Sequence, residues 1–185
     1  MKRYTVALSL FVVLLATPLR AEKRAFTIED LYRIKSPYGI QVSPEGKSVV
    51  YAVDTSDLAR ATRVSHIWMM DIDGRNARQI TNGEKGENSP RFSPDGKWIS
   101  FISSRDGSQN LYLLPAAGGE AKKLTNISTG VSDPLWSPDS QSIAFSTDVY
   151  PECGANEKCA SSAERVKTHV PIAMRAILPE NILMI

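Results

Sequence analysis

The chain has 185 residues, 42% of them hydrophobic and 23% charged, with a formal net charge of +2. That is about one domain of globular composition, which excludes a disordered or low-complexity protein. Three of the 22 basic residues (Lys2, Arg3 and Arg20) lie in a segment that reads as removable. Without them 19 basic residues face 20 acidic ones, so no basic stripe exists to bind nucleic acid.

Residues 1–21 read as a signal peptide. Lys2 and Arg3 form a basic start, Val6 to Ala16 is an apolar core broken only by Ser9, and Ala21 offers a small residue for cleavage. The core is shorter than the ~20 residues a membrane span needs. Leu19 is large for its place before the cut, so an uncleaved anchor is the alternative, and only then does the chain meet a membrane. Either way the rest of the chain is expected to be exported, to a periplasm or the outside.

Residues 22–36 are expected to hold a short helix. Thr27 can cap it, Asp30 sits three residues on, where an acid reaches back to the cap, and Leu31 and Ile34 share a face. The helix should end before Ser36-Pro37.

Residues 37–150 then repeat. Ser43-Pro44-Glu45-Gly46-Lys47 recurs as Ser93-Pro94-Asp95-Gly96-Lys97 and as Ser137-Pro138-Asp139-Ser140-Gln141, offset by 50 and then 44 residues. Proline pre-sets φ at the first central turn position and glycine tolerates positive φ. In the first unit the expected strands are Ile40–Val42, Ser48–Val53, His66–Met70 and Ala77–Thr81, with a polar loop over Asp54–Val64. The second unit runs Pro90–Phe92, Trp98–Ser103, Asn110–Leu114 and Ala121–Thr125. Trp68 and Tyr112, Ile80 and Leu124, and Thr81 and Thr125 are each 44 apart. The third begins at Pro134–Trp136 and continues over Ser142–Ser146. A period of about 40–50 with a turn at fixed phase marks a propeller array, and four strands per unit is blade geometry. The fold class expected is all-β: an incomplete WD-like β-propeller of about two and a half four-stranded blades. A small open antiparallel sheet is the alternative.

Residues 151–169 form an insertion with both cysteines, Cys153 and Cys159, and a short helix is expected over Cys159–Lys167. An even pair in an exported chain favours a local disulfide over a metal site, which would need more ligands nearby. Residues 170–185 lose strand alternation and turn punctuation. They read as a frameshifted tail, or else as a divergent extension.

Three features resemble the N-terminal propeller of secreted prolyl oligopeptidase-type serine peptidases, the dipeptidyl- and acylaminoacyl-peptidase branch. They are the opening Phe26–Leu31 through Gln41–Gly46, the repeated Ser-Pro-Asp-Gly-Lys turn, and the Asp148–Cys153 insertion. TolB-like propellers carry the same turn and are the second resemblance. The peptidase resemblance implies a propeller that gates peptide substrates for a separate α/β-hydrolase domain. That domain would carry a serine on a Gly-x-Ser-x-Gly elbow. The nearest match, Gly130-Val131-Ser132-Asp133-Pro134, lacks the second glycine, and His169 has no partner serine. No catalytic, cofactor or metal residue is therefore assigned. The TolB-like resemblance implies protein partners instead.

Other signals have simpler readings. Asp71-Ile72-Asp73-Gly74 lacks the later ligands of a calcium loop and reads as a hairpin. Asn126-Ile127-Ser128 is a glycosylation sequon by pattern. Trp68, Trp98 and Trp136 sit on blade strands, which suits packing better than a sugar platform. Lys122-Lys123 and Arg60–Arg63 read as solvated charge.

Overall fold

The computed structural model describes residues 24–59, 61–149 and 168–170. The signal segment, Cys153, Cys159, the helix expected over Cys159–Lys167 and the tail beyond Val170 lie outside the described residues.

Residues 1–31 and 32–185 form two compact units. Within the first, the helix α1 (Ile28–Arg33) begins. It starts as its sequence requires: Thr27 N donates to Asp30 Oδ2 (2.9 Å), and Arg24 holds the same carboxylate with two hydrogen bonds. No residue of α1 is buried.

The second unit holds three antiparallel sheets, each a meander. β1 (Ser36–Val42), β2 (Ser48–Asp57), β3 (Thr62–Asp71) and β4 (Arg78–Gln79) form blade 1. β5 (Glu87–Phe92), β6 (Trp98–Ser103), β7 (Asn110–Pro115) and β8 (Lys122–Lys123) form blade 2. β9 (Val131–Trp136), β10 (Ile143–Val149) and β11 (Thr168–Val170) form blade 3. The all-β fold of an incomplete propeller is as expected, and its strands differ from the sequence reading in four places.

The segment Asp54–Val64 is not a loop. β2 and β3 pair in unbroken register from Ser48↔Asp71 to Asp57↔Thr62, leaving only a tip at 58–61. The distal rungs lie away from the core, so they need no apolar alternation; Asp54 and Arg63 instead form an ion pair at 3.1 Å. The first strands also begin earlier than expected: β1 at Ser36 rather than Ile40, β5 at Glu87 rather than Pro90, and β9 at Val131 rather than Pro134. The outer strands are shorter than expected, two residues each; Ile80 and Leu124 just beyond them still donate to the Ile67 and Leu111 carbonyls at 2.8 Å and pack, partly buried, on the cores. Short, charged rims of this kind blunt an edge that would otherwise template pairing. Finally, the pattern does not stop at Ser146. β10 reaches Val149, and Thr147, Asp148 and Val149 pair with Val170, His169 and Thr168. Three residues give too short a run to read from sequence.

The cores lie between blades. Val50 and Ile67 of blade 1 pack with Phe92, Ile99, Phe101, Tyr112 and Leu114 of blade 2. Ile102, Leu111 and Leu113 of blade 2 pack with Val131, Ile143 and Phe145 of blade 3. No blade buries its faces alone, as in any repeat array. β1, β5 and β9 each carry a register shift. It falls at Gly39, Ser89 and Asp133, all at φ between 52° and 61° and spaced by the same 50 and 44 residues as the turns. These bulges bend each first strand at one fixed phase.

Candidate functional site

The repeat turns line up at one end of the first strands. Ser43, Ser93 and Ser137 close them alike: each serine N donates to the carbonyl five residues on, and each Oγ accepts from that residue's N–H at 2.9–3.0 Å. The fourth position is left-handed in all three, at Gly46, Gly96 and Ser140. In the second and third turns the hydroxyl also donates to Asp95 Oδ1 (2.6 Å) and Asp139 Oδ1 (2.5 Å). Burial pushes the Asp95 carboxyl up, but the bonds from Ser93 and Lys97 outweigh it and hold the group below its usual value. Pro44, Pro94 and Pro138 are exposed. Asp95 N donates to Ser140 Oγ (3.0 Å), tying one turn to the next. All three hydroxyl oxygens accept turn N–H groups, and those of Ser93 and Ser137 also spend their hydrogens on Asp95 and Asp139, so turn chemistry rather than nucleophilic chemistry occupies them.

The opposite end of β5 holds a group that sequence reading missed. Glu87 has a side-chain exposure of 0%. Its Oε2 accepts from Thr81 Oγ1 (3.0 Å) and His66 Nδ1 (2.9 Å). Its Oε1 accepts from Gly83 N (2.7 Å) and Arg105 Nη2 (3.0 Å). Facing a carboxylate, the His66 Nδ1 carries the hydrogen. His66, Thr81 and Gly83 belong to blade 1 and its exit, and Glu87 and Arg105 to blade 2. A charge that deep is tolerable only when paired and fully hydrogen-bonded, and this one is.

Glycines make room for it. A Cβ on Gly83 would stand 2.0 Å from Glu87 Oε1, and one on Gly86 (φ +81°) would stand 3.1 Å from the Ser65 carbonyl. Arg105 in turn lies over the Tyr112 ring (4.8 Å) and the Phe101 ring (5.6 Å). Burial, then the 2.6 Å bond to Asp106, pushes the Tyr112 hydroxyl up to about 12. The signal that could have found Glu87 was the 44-residue alignment: an acid stands at 87 where valine stands at 131.

The other marked residues fall apart in space or into packing roles. Ser132 lies on β9, opposite Ser146. Asp71 accepts from Asn76 Nδ2, and Asp73 pairs with Arg75, so a hairpin's own donors take both carboxylates. Trp98 and Trp136 pack against the second core, and Trp136 Nε1 donates to Ser100 Oγ (2.9 Å). Lys35 lies 5.6 Å over the Trp68 ring. Among the described residues no three His, Cys, Asp or Glu side chains group as metal ligands. No described helix is long and apolar enough to cross a membrane.

Residues 56–174 match the family described as the Tricorn protease N-terminal beta propeller domain. The chain belongs to this propeller family. The match is to a propeller, without a catalytic domain. The chain is 39% identical over 93 residues to the uncharacterized peptidase YuxL of Bacillus subtilis, covering 50% of this chain and 14% of that protein. It is 37% identical over 70 residues to dipeptidyl-peptidase 5 of Porphyromonas gingivalis, covering 38% of this chain and 10% of that one. Among solved structures it is similar to the putative TolB from Agrobacterium tumefaciens: 31% identity and a TM-score of 0.52, over 60% of this chain and 38% of that one. The chain thus spans a small part of the curated peptidases it resembles.

Proposed function

We propose that these residues are the non-catalytic N-terminal propeller part of an exported prolyl oligopeptidase-type serine peptidase, in which the propeller gates peptide access to a hydrolase domain encoded further on. The observation that carries this reading is the likeness to YuxL and dipeptidyl-peptidase 5, of which the chain covers 14% and 10%, on top of a propeller-only family match. The basic start and apolar core of residues 1–21 support export. On its own the chain is expected to leave aminoacyl- and acyl-peptide substrates uncleaved.

The test is to read the gene beyond the codon for Ile185 and translate all three frames. Further Ser-Pro-Asp-Gly blades followed by a Gly-x-Ser-x-Gly elbow are the expected result. Hydrolysis by the purified chain would overturn the reading. A second reading, a TolB-like protein-binding module, is favoured by the 31% identity to the Agrobacterium protein. It takes the lead if nothing propeller-like or hydrolase-like follows and the chain purifies as one stable species.

A further inference from the structure

The seam between blades 1 and 2 and the seam between blades 2 and 3 are built from equivalent positions 44 residues apart. Thr81 and Thr125 play the same part, each Oγ1 accepting from the N–H of Ile67 or Leu111 at 2.9 Å. Gly86 and Gly130 are both left-handed. Around this shared frame four positions change together: His66 becomes Asn110, Gly83 becomes Ile127, Glu87 becomes Val131, and Arg105, which also holds Glu87, becomes Val149.

The exchange moves one acceptor across the seam. In blade 2, Asn110 Oδ1 accepts from Thr125 Oγ1 (2.9 Å) and Ile127 N (2.8 Å), so the blade satisfies its own donors. Blade 1 has histidine at that place, turned to donate. Its two equivalent donors, Thr81 Oγ1 and Gly83 N, are satisfied only by Glu87 arriving from blade 2. Blade 1 therefore ends in a notch lined by donors, and blade 2 begins with a carboxylate that fills it. Blade 2 ends with no notch: Ile127 packs at the second core beside Val131.

The geometry points to a key-and-notch that fixes blade order: Glu87 admits blade 2 beside blade 1 and bars it from docking on a blade of blade 2's own kind. Each wrong pairing carries a physical cost. Glu87 against an isoleucine-bearing blade end would meet side chain where Gly83 leaves space, and would find Asn110 already bonded to the donors it needs. Val131 against the blade 1 notch would leave the buried Thr81 hydroxyl and the half-buried Gly83 amide without the acceptor they now have. Repeat chains need such a device, because similar units misassemble within and between copies, and buried polar groups are attested as a source of register.

The test uses the full chain in two arms. In the first, Gly83→Ile and Glu87→Val are made singly and together, and folding is followed by urea titration. Each single change is expected to lower the folding equilibrium constant by about a hundredfold or more, as breaking a buried pair does. The double variant with His66→Asn should recover part of it, because the asparagine can take the Thr81 hydroxyl and the amide at position 83 while Arg105 stays without its carboxylate. A Gly83→Ile chain as stable as the parent, or a triple variant no better than the singles, overturns the proposal.

In the second arm, two differently tagged copies are refolded together. The parent is expected to stay unmixed. The triple variant, and separately a chain given Asn110→His, Ile127→Gly and Val131→Glu, should co-purify as mixed species. Unmixed copies of a folded variant overturn the proposal.

Discussion

The two seams of this molecule share a backbone frame and differ in what fills it. Between blades 2 and 3 the donors are satisfied at home and the join is made by apolar packing, with Trp136 reaching Ser100. Between blades 1 and 2 the donors wait for a carboxylate from the next unit. The first arrangement should tolerate conservative change. The donors at the end of blade 2 are met by Asn110, and the side-chain bonds across the seam, from Trp136 to Ser100 and from Asp95 to Ser140, are single and neutral. The second concentrates cohesion in one side chain that must be present and correctly placed. One repeat scaffold thus supports a forgiving joint and an exacting one within 100 residues of each other.

The sharpest way to break that contrast is Glu87→Leu. It strands Arg105, Thr81 and Gly83 and is expected to cost about 3–5 kcal/mol in urea unfolding. Val131→Ala, at the equivalent place, should cost about 1–2 kcal/mol from lost apolar burial and a small cavity. Equal losses would erase the distinction. Next comes Gly83→Ala, expected to cost about 1–3 kcal/mol by overpacking against Glu87 Oε1. The same change in a Glu87→Val chain should cost much less, which melting of the four chains would show. Smaller again is Trp136→Phe, which removes the bond to Ser100 and should cost about 0.5–1.5 kcal/mol. A loss above that of Glu87→Leu would place the exacting joint at the wrong seam.

A last effect, confined to alkaline solution, is on pH. The Tyr112 hydroxyl is pushed from the ordinary tyrosine value of about 10 up to about 12 by burial and then by Asp106. A raised value stabilises the fold fully below the unfolded value and loses that contribution as pH climbs from about 10 through 12. Tyrosinate absorbance should show one residue ionising late, and Asp106→Asn should bring it forward.

The turns were legible in the sequence because their chemistry is local. Serine, proline and a left-handed fourth position act within five residues, and the 50- and 44-residue offsets then locate the blades. The alignment of Thr81 with Thr125 was legible too, although its meaning was not. Glu87 bonds to His66, 21 residues before it, and to Arg105, 18 after, and no short window contains such a set. The stretch Asp54–Val64 was misread for a different reason. Alternation reports burial, and a hairpin that leaves the core has no burial to report. The outer strands were over-read because Ile80 and Leu124 carry the apolar signal of a strand although the regular pairing stops at Gln79 and Lys123 and each adds only one further backbone bond.

That hairpin has a practical side. β2 and β3 run ten residues each where β6 and β7 run six, so the paired ladder of blade 1 is longer by four rungs, about 13 Å. Leu58 at the tip is 52% exposed. A dye or an epitope grafted there would ride on blade 1 like a flag on a mast, clear of both seams. It would signal whether the first unit is seated without disturbing what seats it.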